Sequence, residues 1–102
     1  MTKRYTLSKQ AKLDLKDIKN YIVRDSLDNA ETFVREIAER FQSLADFPGM
    51  GRSYETLMPN LRGFIVGNYI IFYRPTKNGI AIERIISGYR DIEAIFLQDN
   101  EG

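Results

Sequence analysis

Three strand-like runs, Leu61 to Val66, Tyr69 to Arg74 and Ile80 to Ile86, crowd the second half of the chain, and the turns between them leave few architectures open. Each run is rich in Ile, Val, Phe and Tyr, which suit a pleated, half-buried surface. Gly67-Asn68 is a two-residue connection with Gly first, as a type II′ hairpin requires, and Thr76-Lys77-Asn78-Gly79 reads as a slightly longer turn. The runs therefore form an antiparallel meander. The first turn also fixes a register in which Val66 opposes Tyr69, Phe64 opposes Ile71 and Arg62 opposes Tyr73 on one face. Carrying the alternation through the second hairpin adds Ile82, Arg84 and Ile86 to that face. It leaves Ile65, Ile70, Phe72, Arg74, Ala81, Glu83 and Ile85 on the other.

Both faces are mostly apolar, whereas a sheet with one wet face alternates apolar with polar. Cover is therefore expected on both sides. Upstream, Lys3 to Leu7 alternates as a short first strand, with Tyr5 and Leu7 on one face. Ser8 offers an N-cap, and Ala11, Leu15, Ile18 and Ile22 recur at helical spacing, which predicts a helix from Lys9 to Arg24. Lys9, Lys12, Lys16 and Lys19 form a second, basic stripe on it. After a break at Asp25 to Asp28, with Ser26 or Asp28 as cap, Ala30, Phe33, Val34, Ile37, Phe41, Leu44 and Ala45 give a second helix a wide apolar face. Glu31/Arg35 and Glu36/Arg40 stand at i,i+4 on its solvent side. That helix stops at Phe47-Pro48-Gly49, because Pro48 cannot continue the ladder. The short link between the helices forces an antiparallel hairpin.

Pro48 to Asn60 reads as one long loop, and Ile92, Ile95 and Phe96 predict a short C-terminal helix over Asp91 to Gln98, capped by Asp91 or Ser87. The tail Asp99 to Gly102 is expected to fray. One domain over residues 1–102 is the expected organisation. The helical hairpin covers one sheet face. The other calls for the C-terminal helix, self-association or another chain, and another chain is the expectation, because a large solvated apolar patch is unusual on a monomer. Arg62, Tyr73 and Arg84 would then lie on or beside that surface, being residue types that anchor interfaces.

The sequence holds no cysteine and no histidine, which excludes disulfides, thiol nucleophiles, Cys/His zinc sites and imidazole bases. Ser8, Ser26 and Ser43 have no base to activate them and suit helix caps or surface positions. No metal site or cofactor is expected, since no phosphate-loop or ligand pattern accompanies Gly88. Fifteen basic against fourteen acidic side chains give +1, far from the balance of a domain that grips nucleic acid unaided. This small sum hides alternating blocks. Residues 1–24 hold seven basic and two acidic groups, 25–60 three and seven, 61–90 five and one, and 91–102 none and four. The pattern favours a protein partner over sequence-specific DNA binding by this chain alone. With neither a signal peptide nor a membrane span in view, a cytoplasmic location is expected.

The strand, the helical hairpin, the loop Phe47-Pro48-Gly49-Met50-Gly51-Arg52, the segment Gly67-Asn68-Tyr69-Ile70-Ile71-Phe72-Tyr73-Arg74 and the ending Ser87-Gly88-Tyr89-Arg90-Asp91 together resemble the ParE branch of the RelE/ParE toxin superfamily. The resemblance covers nearly the whole chain. It implies an α+β, RelE/ParE-like fold: a short N-terminal strand, an antiparallel helical hairpin on an antiparallel sheet, and a short C-terminal helix. It also implies the toxin of a type II toxin-antitoxin system, arresting growth by inhibiting DNA gyrase without catalysis and neutralised by a ParD-like antitoxin in a hetero-oligomer. The RelE-like alternative is ribosome-dependent cleavage of messenger RNA, and a further one is a weakly toxic antitoxin-binding module.

Residues bear on that choice. In RelE-like ribonucleases the arginine matched here by Arg90 is followed six positions on by a tyrosine, and position 96 is Phe. Other members use a histidine near the end of the last strand, where this chain has Ser87. Glu83 and Arg84 are expected on opposite faces, unable to converge as an acid/base and phosphate pair. No catalytic residue is expected. Candidates for antitoxin or target binding are Arg62, Tyr73, Arg84, Tyr89, Arg90, Phe96, Lys9, Lys12 and Lys16. Arg90 also has a structural reading, as a bridge to Glu83 or Glu93 beside the capping Asp91.

Overall fold

The structure is a computed structural model that describes residues 3–101. Its elements run β1 (Arg4–Leu7), α1 (Lys9–Val23), α2 (Leu27–Asp46), a 3₁₀ turn (Pro48–Met50), β2 (Arg52–Ser53), β3 (Arg62–Val66), β4 (Tyr69–Thr76), β5 (Gly79–Ser87) and α3 (Ile92–Glu101). The strands form one sheet in the order β1-β5-β4-β3-β2. Local chemistry starts the helices. The Ser8 hydroxyl accepts the Ala11 amide at 3.0 Å, and the Ser26 hydroxyl accepts the Asn29 amide at 3.2 Å, so Ser26 is the second cap and Asp28 lies inside the first turn. Among the described residues the i,i+4 pairs expected along α2, Glu31/Arg35 and Glu36/Arg40, are not closed.

The first hairpin has the register its turn dictates, from Val66↔Tyr69 to Arg62↔Tyr73, with Gly67 at φ 59°. Three expectations need correction. The sheet is mixed, because β1 runs parallel to β5, from Arg4↔Gly79 to Leu7↔Ile82. The Pro48 to Asn60 loop contains the 3₁₀ turn and a two-residue strand, β2, that pairs with β3. The C-terminal helix continues to Glu101 in place of a frayed tail, with Gly102 outside the described residues.

The second hairpin is tighter than expected, with Lys77-Asn78 between Thr76↔Gly79, and a bulge then breaks its alternation. Tyr73 pairs with Ile82 and Phe72 with Arg84, leaving Glu83 as the extra residue. Beyond it every β5 side chain changes sides. Ile85 joins Ile71, Tyr73 and Ile82 in the core beneath α1 and α2, while Ile86 joins Ile70 and Phe72 on the second face.

That second face is covered from within. Phe96 and Ile95 of α3 pack on Phe72, Ile70, Ile86 and Leu61, and Tyr54, Leu57 and Met58 close over them from the loop. Phe72 stands edge-on to both Phe96 and Tyr54, with ring centroids 5.0 and 5.1 Å apart. The expectation that another chain buries this face is corrected, because loop residues chosen for their Gly and Pro neighbours also carry large apolar side chains. Among the described residues no helix is long and apolar enough to cross a membrane.

Candidate functional site

The sheet's first face carries a clamp on the Phe47–Arg52 segment. The Tyr73 hydroxyl donates to the Pro48 carbonyl at 2.6 Å and accepts the Gly51 amide at 2.8 Å. Arg62 donates through one terminal nitrogen to the Gly49 carbonyl at 3.3 Å and to that of Gly51, while its Nε is buried without a partner. Gly51 has no room for a side chain, since a Cβ there would lie 2.5 Å from the Tyr73 hydroxyl oxygen. Tyr73 is fully buried, so it pins this turn and offers nothing to a partner. The pinned turn directs Phe47 and Met50 outward, 66% and 46% exposed. Sequence reasoning missed both. Phe47 falls three residues after Leu44, a spacing that reads as one more core position, until the 3₁₀ turn rotates it away.

Arg84 is also withdrawn from the surface. Its Nε and one terminal nitrogen meet the two oxygens of Asp14 at 2.8 and 2.9 Å, and its other terminal nitrogen meets Asp99 at 2.7 Å. These bonds, Asp14 foremost, raise the guanidinium pKa further above its already high value, against the lowering effect of burial. Asp14 escaped notice, although its position had a signal: it lies three residues after Ala11 and four before Ile18, within the apolar stripe, where a carboxylate needs a partner. The Glu83 bulge brings Glu83 and Arg84 to one side, lining a pocket of about 430 Å³ with Ser8, Met58, Phe96 and Asp99. The expected separation of Glu83 and Arg84 is corrected. Both are occupied all the same, Glu83 by Arg74 at 2.9 Å and Arg84 by its two aspartates. Phe96, 2% exposed, belongs to the core.

Tyr89 and Arg90 do reach solvent, and Tyr89 is 86% exposed. The Gly88 amide donates to the Asn68 carbonyl at 2.8 Å, which ties this corner to the first hairpin turn. Ile65, another residue missed from sequence, is 61% exposed on the strand leading into that turn. Asp91 caps α3 by accepting the Ala94 amide at 3.1 Å. Among the described residues Arg90 forms no bridge to Glu83 or Glu93.

Lys12, Lys16 and Lys19 line a groove of about 300 Å³ with Leu7, Leu15 and Val34, while Lys9 is exposed one turn away. The candidates thus fall into four places: the turn clamp (Arg62, Tyr73), the Arg84–Phe96 pocket, the Tyr89–Arg90 corner and the lysine groove. Among the described residues no three Asp or Glu side chains gather as a metal site.

Residues 5–92 match the family model described as ParE toxin of type II toxin-antitoxin system, parDE. The chain is 36% identical over 84 residues to Toxin ParE1 of Caulobacter vibrioides, covering 81% of this chain and 84% of that protein. It is 30% identical over 95 residues to Toxin ParE1 of Mycobacterium tuberculosis, covering 91% and 97%. In fold it is similar to a chain solved as "Chromosomal ParDE TA system from P. aeruginosa", with a TM-score of 0.69 and 21% identity, over 84% of this chain and 96% of that one.

Proposed function

The chain belongs to the ParE toxin family of type II toxin-antitoxin systems, and we propose that it inhibits DNA gyrase by binding, without catalysis, and is neutralised by a ParD-like antitoxin. The family supports the toxin-antitoxin context. The observation that carries the non-enzymatic reading is the state of the polar groups on the second sheet face. Cleavage at a 2′-hydroxyl needs a free base, a free cation for the phosphate and a proton donor for the leaving oxygen. Here Glu83 is held by Arg74, Arg84 is neutralised by Asp14 and Asp99, and the aromatic ring at position 96 has no hydroxyl. The exposed side chains that remain, Phe47, Met50, Ile65 and Tyr89, suit protein contacts.

A supercoiling assay with purified gyrase tests this reading. The expected result is loss of supercoiling as toxin is titrated in. Full activity at saturating toxin removes gyrase as the target. Messenger RNA cut at ribosomes during growth arrest, and preserved by Arg90→Ala, establishes the RelE-like alternative instead.

A further inference from the structure

The parallel pairing of β1 with β5 builds a cationic corner beside the β4–β5 turn. Arg4 aligns with Gly79, and the Arg4 amide donates to the Asn78 carbonyl at 2.8 Å. Only glycine lets the turn press so close, because a Cβ on Gly79 would run into the Arg4 carbonyl. Arg4 and Lys77, from distant parts of the chain, thereby line one concavity of about 330 Å³ together with Thr6, Thr76, Asn78 and Ile80. No carboxylate is among these lining residues, and among the described residues neither Arg4 nor Lys77 enters an ion pair. Both are exposed, and Arg74 and Glu83, further along β4 and β5, neutralise each other at 2.9 Å. Two uncompensated cations on one concavity repel, so the fold gains nothing by holding them there. We infer that this corner is a phosphate site, taking backbone phosphates of the DNA that gyrase holds. The inference rests on the reading that the chain binds gyrase, and adds a DNA contact to it.

The donor set selects the ligand. Arg4 and Lys77 supply charge, while the Thr6 and Thr76 hydroxyls and the Asn78 amide supply neutral donors. A sugar-phosphate backbone answers both kinds, with charged oxygens on successive phosphates and neutral ester and sugar oxygens between them. A single carboxylate of a protein partner brings one charge to two cations and leaves the neutral donors without acceptors. Such contacts carry no base information, so the site is indifferent to sequence. The charge of the whole chain decides when it works. At +1 the protein lacks the field to hold DNA unaided, so the corner acts only once gyrase has fixed toxin and DNA side by side. The DNA contact is then effectively intramolecular, and two weak contacts suffice to tighten the complex.

Binding of the purified toxin to immobilised gyrase, without DNA and with a bound duplex, at about 50 and about 200 mM salt, tests the inference. The wild type should bind gyrase holding the duplex ~10-fold tighter than gyrase alone at the lower salt, and this gain should largely vanish at the higher, as two phosphate contacts require. Arg4→Gln combined with Lys77→Gln should remove the gain and leave affinity for gyrase alone unchanged. Lys77→Gln by itself should keep a gain of ~3-fold. Arg35→Gln combined with Arg40→Gln, an equal charge change on the solvent side of α2, should keep the full gain, and thermal melts should show every variant as stable as the wild type. A wild-type gain of less than about threefold at the lower salt overturns the phosphate site alone, as does a gain that the corner variant keeps or that the α2 variant also loses. Failure of the wild type to bind gyrase in either form overturns the gyrase reading and the inference with it. Inorganic phosphate that saturates the free toxin below about 1 mM assigns the corner to free phosphate. Corner variants that weaken only binding of the ParD-like protein assign it to an acidic protein segment, and either of these results also overturns the inference.

Discussion

Asp14 and Arg84 lock α1 to the last strand: both carboxylate oxygens accept from the guanidinium, at 2.8 and 2.9 Å, and one also accepts the Ile85 amide at 2.9 Å. The contact satisfies a sheet edge. Beyond Leu7↔Ile82 strand β1 has ended, so the exposed backbone of β5 turns to α1, with the Glu83 carbonyl taking the Ser8 hydroxyl at 2.7 Å.

Removing Asp14 therefore leaves three donor nitrogens, two of Arg84 and the Ile85 amide, without their partner. Asp14→Ala should destabilise the protein by about 2–4 kcal/mol, and Asp99→Ala, whose pair is more exposed, by about 1 kcal/mol or less, read by urea denaturation. The raised Arg84 pKa fixes the pH behaviour. This contribution is present below the ordinary guanidinium value and is lost only above the raised one, so the gap between wild type and Asp14→Ala should stay constant from neutral pH to about pH 10.

The turn clamp predicts a coupled pair. Tyr73→Phe should cost about 1–3 kcal/mol, because the Gly51 amide loses its acceptor in the interior. Gly51→Ala should cost a similar amount by overpacking, since its Cβ would meet the Tyr73 hydroxyl oxygen at 2.5 Å and the Gly63 carbonyl at 2.8 Å. The double variant should cost less than the two singles added, because deleting the hydroxyl relieves the nearer clash. Chemical denaturation of all four proteins supplies the cycle.

The internal seal over the second sheet face rests on α3. Phe96→Ala should cost about 3–5 kcal/mol and create binding of a hydrophobic dye, whereas Leu97→Ala, at a position 60% exposed, should change stability by no more than about 0.5 kcal/mol. Equal effects at the two positions would refute the seal.

The outward aromatic residues should separate stability from inhibition. Phe47→Ala and Tyr89→Ala should each shift stability by less than about 0.5 kcal/mol, their side chains being 66% and 86% exposed. In the gyrase assay each should raise the toxin concentration for half-inhibition about tenfold, as loss of an aromatic anchor does. Unaltered inhibition by both variants would exclude these two anchors.

Where a residue's neighbours decided its conformation, the sequence was readable. Ser8 and Ser26 announced both long helices, and Gly67 set the first hairpin register and so the side chosen by Phe64, Ile71 and Tyr73. Features that depended on distant residues were hidden. Nothing near Glu83 signals a bulge, and that one extra residue moved Arg84 and Ile86 to the other face. Strand β1 showed its alternation but not its partner, so its parallel pairing was missed. The same reason divides the candidates: Lys12 and Lys16 lay on the helix face that their spacing dictated, whereas Tyr73, Arg84 and Phe96 were claimed by residues far along the chain.

The parallel pairing of β1 with β5 also governs when the molecule can be finished. Ser8 closes its bond to Glu83 across a separation of 75 residues, and Leu7 aligns with Ile82. Strand β1, made early on the ribosome, must therefore wait for the last strand, β5, to emerge. The helical hairpin can form early from local contacts, but its apolar face has no complete sheet to rest on until synthesis is nearly over. A truncated nascent chain thus leaves Ile37, Phe41 and Leu44 of the hairpin uncovered, and only Ile80, Ile82 and Ile85 of the last strand complete the core they belong to.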